Sequence, residues 1–372
     1  MDQPPADAGG TGAALSQSNA AGGRQVIAAT IVTFAVLAIV FWQVLPSFAD
    51  YGQAWELIRR MPVAGLVALA ATILVNVLVF AWPLQAALPG LSYSAAFVVR
   101  QTSFMISNTV PGGGAISLAV QYSVLADAGV KTARATAAIT LTGLWNLLIM
   151  LALPAFGAAV LLGSGHLTPE WLVAAGVSFV GIAALIALLA AALRDEGTAR
   201  RVGERSDRLI ARVLRMFGDA RGPRFGDQLV AVRTATVDTL RTRRLPLTIS
   251  SLSLHLIQFA ILVVTLRALQ GSAPASVSMP EALAAIAFAR LATFVPVTPN
   301  GLGTVDAGLT GLLIAFGAAG DEALASVLVW RVATTLPQVA IGSATFLYWR
   351  HRRMHLRARA PSDDPVTGHD AT

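Results

Sequence analysis

Six long apolar stretches constrain this chain more than any other feature of its sequence. A hydrocarbon core of roughly 30 Å is crossed by about 20 apolar residues of helix. Runs of that kind cover residues 26–45, 63–84, 135–163, 171–193, 247–268 and 323–349. Over the 372 residues, 55% are hydrophobic and only 13% charged, and the mean hydropathy is +0.66. A soluble globule is excluded by these proportions. The expected fold is an all-α polytopic membrane protein with about six full spans.

Two further apolar regions, 94–128 and 281–319, are interrupted near their centres by proline and glycine. Their arms of roughly 15 residues are too short to cross, so each is expected to be a broken, re-entrant helical hairpin. The breaks resemble each other. The first region has Arg100, Phe104 and then Pro111-Gly112-Gly113-Gly114; the second has Arg290, Phe294 and then Pro299-Asn300-Gly301-Leu302-Gly303. The arginines are offset by 190 residues and the prolines by 188, so a gap of two aligns them. Proline removes a backbone donor and glycine permits the turn.

Cation placement gives the orientation, because Lys and Arg flanking spans stay on the cytoplasmic side. Thirteen Arg lie between Arg194 and Arg244 and five between Arg350 and Arg359, whereas 164–170 and 270–280 carry no Lys or Arg. The basic linker 194–246 and both termini are therefore assigned to the cytoplasm. With Lys131 and Arg134 just after it, the first hairpin opens to the cytoplasm and the second outside, so the halves form an inverted repeat. Discontinuous helices meeting at the midplane of such repeats are a transporter architecture. Arg59 and Arg60 run against the rule, with Asp50 and Glu56 close by. Within the linker, Val202, Leu209, Ile210, Val213, Leu214 and Phe217 share one helical face flanked by Arg201, Arg205, Arg208, Arg212 and Arg215, an interfacial amphipathic pattern suited to anionic lipid. Residues 1–25 are expected to be a disordered tail and 351–372 a basic disordered tail, with the membrane domain over 26–350. The run at 26–45 exceeds a signal-peptide core and is expected to be retained.

Catalytic constellations are missing. With no cysteine and five scattered histidines, there is no compact metal-ligand cluster, nucleophile–base arrangement or paired carboxylate. The Pro111–Gly114 stretch lacks the Lys-Ser/Thr of a phosphate loop. Transport without a cofactor is expected rather than enzymatic chemistry, and nucleic acid is not an expected partner. The charges inside apolar segments carry the site instead. Asp306 and Arg331 are expected at similar depth, as a switchable polar pair or a fixed ion pair, and intramembrane ionisable residues are expensive to keep. Measured back from hairpin tips at the midplane, Arg100 and Arg290 are expected near the two opposite membrane mouths, either holding phosphate or snorkelling. His255 and Gln258, with Ser251 nearby, either line the same path or make interhelical hydrogen bonds; Asn76 and Asn146 are equally ambiguous.

The stretch Pro299-Asn300-Gly301-Leu302-Gly303-Thr304-Val305-Asp306, followed by Arg331, resembles the flippase-like transmembrane domain of lysylphosphatidylglycerol synthases and of its stand-alone relatives. The family pattern is roughly Pro-Gly-Gly-x-Gly and an acidic residue, with Asn300 here replacing a glycine. Pro111-Gly112-Gly113-Gly114 resembles the companion motif, although Ser117, Leu118 and Ala119 stand where an acidic residue and Arg often follow. The resemblance spans about 26–350 and implies movement of a polar or anionic lipid, or a lipid-linked molecule, across the cytoplasmic membrane. It implies membrane lipids as partners, anionic headgroups among them, and no synthase activity. The substrate path is then expected to comprise Asp306, Arg331, Arg100 and Arg290. Two alternatives stay open: a secondary transporter of a soluble ion or metabolite, and a non-transporting membrane scaffold.

Overall fold

The computed structural model describes residues 51–110, 113–164, 225–271, 276–294 and 301–358, with isolated helical positions between 173 and 187. Every regular element among the described residues is helical. In chain order these are α1 (Tyr51–Arg59), α2 (Val63–Val79), α3 (Trp82–Ala87), α4 (Tyr93–Thr109), α5 (Gly113–Asp127), α6 (Thr132–Ser164), α7 (Phe225–Gln270), α8 (Met279–Ala289), α9 (Thr304–Ala315) and α10 (Gly320–Ala358). A 3-10 turn, Arg290–Phe294, continues α8.

Four segments are long and apolar enough to cross a membrane: Val63–Ala87, Thr132–Leu162, Thr242–Gln270 and Gly320–Met354. They coincide with four of the predicted spans. The runs at 26–45 and most of 171–193, the tail 1–25, the amphipathic face at 201–217 and the break residues Pro111, Gly112, Pro299 and Asn300 lie outside the described residues. Two boundaries differ from expectation. Helix α7 begins at Phe225 inside the predicted linker, and α10 runs on to Ala358 through the start of the predicted tail. Arginine, leucine and alanine are strong helix formers, and a helix anchored in the bundle propagates through them.

Both interrupted regions are helix–break–helix hairpins whose arms pack on each other, α4 on α5 and α8 on α9. The two hairpins build separate cores. Around the second, Ile261, Leu262 and Leu266 of α7, Ala323, Val327 and Trp330 of α10, and Leu309 and Leu313 of α9 are buried together. Around the first, Ala96 and Val99 of α4, Leu125 of α5 and Ala135 and Ala138 of α6 are joined by Leu247 of α7, with Trp349 of α10 packed against them. The second core thus uses the end of α7 and the beginning of α10, and the first uses Leu247, near the start of the membrane-crossing stretch Thr242–Gln270 of α7, and the far part of α10. The hairpins sit toward opposite ends of these two membrane-crossing stretches, whose middle runs between them.

Close approach of α10 to α4 is what seats the first hairpin. A Cβ on Gly342 would lie 2.4 Å from the Gln101 carbonyl oxygen and 2.6 Å from Met105 Cβ, and the hydroxyls of Thr102 and Thr345 meet at 3.0 Å across the same contact. Gly342→Val forces the helices apart and is expected to cost about 1–3 kcal/mol, seen as a lower unfolding temperature of the purified protein in detergent.

Candidate functional site

Asp306 is the third residue of α9, just past the break. Its Oδ2 accepts the Gly303 N–H at 2.9 Å, and Gly303 holds φ +81°, a conformation that glycine adopts without the Cβ penalty. A carboxylate here satisfies an orphan amide of the helix start and faces the positive end of the helix dipole. The other oxygen, Oδ1, accepts Arg331 Nε at 2.6 Å. The side chains are only 2% and 13% exposed respectively. The predicted pair is therefore formed, from the second hairpin to the middle of α10.

Arg290 caps α8 and is held from α7. Its guanidinium meets His255 Nδ1 at 3.1 Å and donates to the Gln258 side-chain oxygen. Guanidinium has no acceptor, so Nδ1 accepts and the ring proton sits on Nε2. Trp330 completes the support: its indole donates to the Gln258 backbone carbonyl at 2.9 Å, and its ring lies 6.0 Å from the Arg290 guanidinium carbon and 5.1 Å from that of Arg331. His255 and Gln258 thus make the interhelical bonds that one reading of their spacing suggested.

Arg100, mid-way along α4, is placed by a break the sequence reading did not anticipate. The apolar run at 63–84 is interrupted between α2 and α3 at Phe80 and Ala81. The cause is Pro83, which cannot donate to Val79 and clashes with its carbonyl. Side chains of α4 take up neighbouring carbonyls: Tyr93 donates to Leu78 at 2.7 Å, Gln101 to Val77 at 3.1 Å and Arg100 to Phe80 at 3.3 Å. The Arg100 guanidinium also lies 4.5 Å from the Phe80 ring centre.

These groups meet around one cavity of about 320 Å³ between the hairpins, whose lining includes Arg100, Arg290, Arg331, His255, Gln258 and Trp330. Ser251 and Asn146 line it too. Arg100 and Arg290 consequently do not stand at opposite mouths. The first hairpin's arms of 15–17 residues extend about 22–26 Å, more than half of a hydrocarbon core of roughly 30 Å, so Arg100 in mid-arm comes level with Arg290 at the end of α8. Asp306 is also displaced from its expected place: it lies behind Arg331, and Val305 faces the cavity instead. Of the described tip residues, Gly113 and Gly114 line a neighbouring cavity, whereas Gly301 and Gly303 shape the turn before α9. Phe80 and Trp330 were missed by sequence reasoning. Pro83 was the available signal for Phe80; nothing distinguished Trp330 from any other aromatic in a span.

Charge is unbalanced here. Three guanidiniums face the cavity, and the one carboxylate in ion-pair contact with any of them, among the described residues, is Asp306. Arg331 NH2, His255 Nε2 and Ser251 Oγ are buried without a protein partner. No group of three or more His, Cys, Asp or Glu able to hold a metal occurs among the described residues. The chemistry on offer is donation to an anion.

The family model described as Lysylphosphatidylglycerol synthase TM region matches residues 26–342. The chain belongs to this family. The match takes in both hairpins, the cavity and all three arginines, and it agrees with the stand-alone domain that the motif resemblance implied. A comparison with curated proteins finds no match. Membership links the chain to lipid handling in a membrane and agrees with its apolar helices.

Removing one partner of a buried ion pair strands the other. Asp306→Leu is expected to cost about 3–5 kcal/mol, and adding Arg331→Leu to recover part of it. About 1 kcal/mol remains lost with the bond to Gly303. Unfolding of the two variants in detergent measures the difference.

Proposed function

We propose that this protein is a translocase that moves a polar or anionic lipid, or a lipid-linked molecule, across the cytoplasmic membrane. The observation that carries the proposal is the cavity between the two broken hairpins, where Arg100, Arg290 and Arg331 face one another and, among the described residues, a single carboxylate, Asp306 behind Arg331, pairs with any of them. Uncompensated cations in an apolar bundle are costly, and an anionic headgroup supplies the missing charge. Guanidinium groups suit phosphate because they can bind it with two parallel N–H bonds. Acyl chains stay in the bilayer while the headgroup passes between the hairpins. The chain acts as a carrier rather than an enzyme, with both termini cytoplasmic.

Support for an inverted arrangement comes from the hairpins' positions toward opposite ends of the membrane-crossing stretches of α7 and α10. In that arrangement each hairpin is re-entrant, the first from the cytoplasmic face and the second from the outer face, and the site lies where their reaches overlap. The chain has no cysteine, so single cysteines report topology cleanly. Cysteines placed at Ser94 and at Asp127 are expected to react with an impermeant reagent from the same side, and cysteines at Met279 and at Phe316 from the other. Labelling of either pair from opposite sides overturns re-entrance.

Transport itself is tested in liposomes containing headgroup-labelled phosphatidylglycerol, with dithionite reporting the label still exposed. Wild type is expected to equilibrate the label, and Arg290→Gln to slow it at least about tenfold, the equivalent of one lost charge-assisted hydrogen bond. Equal rates for Arg290→Gln, Arg331→Gln and wild type refute a role for the cavity. Substrate-dependent proton flux without lipid movement identifies a carrier of soluble solutes instead.

A further inference from the structure

The far end of α10 carries a cluster that neither the cavity nor the helix breaks explain. Asp127, the last residue of α5, accepts the indole N–H of Trp349 at 2.8 Å and lies 3.6 Å from Arg353 Nε. The Arg353 guanidinium carbon is 5.3 Å from the centre of the same indole, and Trp349 packs on the core of the first hairpin. One carboxylate thus ties the end of that hairpin to α10, through an aromatic donor and a cation four residues apart on one helix face.

The other fully charged groups with described side chains at this end of the bundle are cations. Lys131 and Arg134 stand at the start of α6, Arg243 and Arg244 at the start of the membrane-crossing part of α7, and Arg350 and Arg352 beside Trp349 on α10. The carboxylates Glu56, Glu281, Asp306, Asp321 and Glu322 belong instead to the second hairpin, to the start of α10 or to α1, which packs on that start. Retention of cations on one side of a membrane explains the basic residues. It does not explain why a carboxylate is held among them.

Depth decides what else reaches Arg353. Tryptophan favours the level where hydrocarbon meets water, and Arg353, one turn further along α10, lies about 6 Å nearer the aqueous side, at the level of lipid headgroups. The side chains of Arg353 and Asp127 are 35% and 37% exposed, so a lipid phosphate has access to them. The attraction of one cation to an anionic membrane surface is of the same size as an exposed ion pair of this kind, so lipid and Asp127 compete for Arg353 on even terms. Helix α5 otherwise packs on α4 and the start of α6. Its Ser117 and Gln121 form part of the wall of the cavity beside Arg100, and a looser end of α5 loosens that wall.

We propose that Asp127, Trp349 and Arg353 form a latch between the first hairpin and α10, which anionic phospholipid at that membrane surface opens by drawing Arg353 away from Asp127. The latch stands apart from the translocase reading; its effect on transport rests on that reading.

Spin labels on cysteines introduced at the exposed Ala126 and Met354 of the otherwise cysteine-free full chain read the separation of the two ends. In phosphatidylcholine vesicles one short distance is expected. In equal parts phosphatidylcholine and phosphatidylglycerol a longer population is expected, with the open-to-closed ratio raised about fivefold, the attraction of one cation to an anionic surface. Asp127→Ala is expected to show the longer population in both membranes, and Arg353→Gln, which keeps the Trp349 bond, to stay short in both. A distance in the unsubstituted latch that ignores phosphatidylglycerol, or one in Arg353→Gln that still responds to it, overturns the latch. Opening in phosphatidylcholine on addition of inorganic phosphate overturns the assignment to lipid. In phosphatidylcholine vesicles with a trace of headgroup-labelled phosphatidylglycerol, Asp127→Ala is expected to translocate label about fivefold faster than wild type, and equal rates overturn control of transport by the latch. No translocation by either form defeats the translocase reading and leaves the latch to be decided by the distances.

Discussion

A helix broken inside a bilayer exposes backbone groups that lipid cannot satisfy, and each such group costs several kcal/mol unless protein, water or ligand takes it up. This fold answers that constraint with side chains from neighbouring elements. Asp306 takes the Gly303 amide at the start of α9. Where Pro83 interrupts the second helix, Tyr93, Gln101 and Arg100 take the carbonyls of Leu78, Val77 and Phe80. Two of these four residues, Asp306 and Gln101, are polar side chains fully buried in apolar segments. Two of the four, Asp306 and Arg100, also shape the site, one by holding Arg331 and the other by lining the cavity. Satisfying the breaks and assembling the binding groups are therefore one structural task, and a substitution at either residue disturbs both.

The separation of the cores explains why the site lies where it does. Each hairpin buries its apolar surface against one end of the membrane-crossing stretches of α7 and α10, and the two cores share no residue. Between them the shared helices present Ser251, His255 and Gln258 on one side and Trp330, Arg331 and Thr334 on the other. Dense packing transmits strain poorly through a gap and well through each core.

Much of this was legible in the sequence, for identifiable reasons. Hydrocarbon thickness fixes span length, so the apolar runs named the four spans found among the described residues, and the rarity of proline and glycine clusters within apolar sequence marked both hairpins. Asp306 and Arg331 could be matched because each is counted from a nearby break or helix start. The level of Arg100 and Arg290 could not. Counting back from a tip requires knowing how far the tip penetrates, which depends on the packing of α4 against α10 at Gly342 and of α8 against α9. Phe80 was hidden for a different reason: hydropathy ran smoothly through Pro83, and periodicity does not register a two-residue interruption. The end of α10 was misjudged because the Arg-rich tail was read as disorder, although such composition is compatible with helix once one end is anchored, and the start of α7 falls in a linker whose helical pattern was read only around 201–217.

The fixed pair and the held arginine also differ in what they permit. Arg331 is tied by a charge-assisted bond to a carboxylate that is itself bonded to the backbone, which is a demanding arrangement to break. Arg290 is tied only to neutral partners, an imidazole nitrogen and an amide oxygen, and Arg100 to a backbone carbonyl and an aromatic face. None of those partners cancels a charge. Under the proposed function, an anion would gain most from Arg290 and Arg100, which can exchange a neutral acceptor for a charged one, while Arg331 would contribute through its remaining N–H groups without leaving Asp306. Asp306 would then anchor the site, and Arg100 and Arg290, which have no ion-pair partner among the described residues, would be the side that meets the anion.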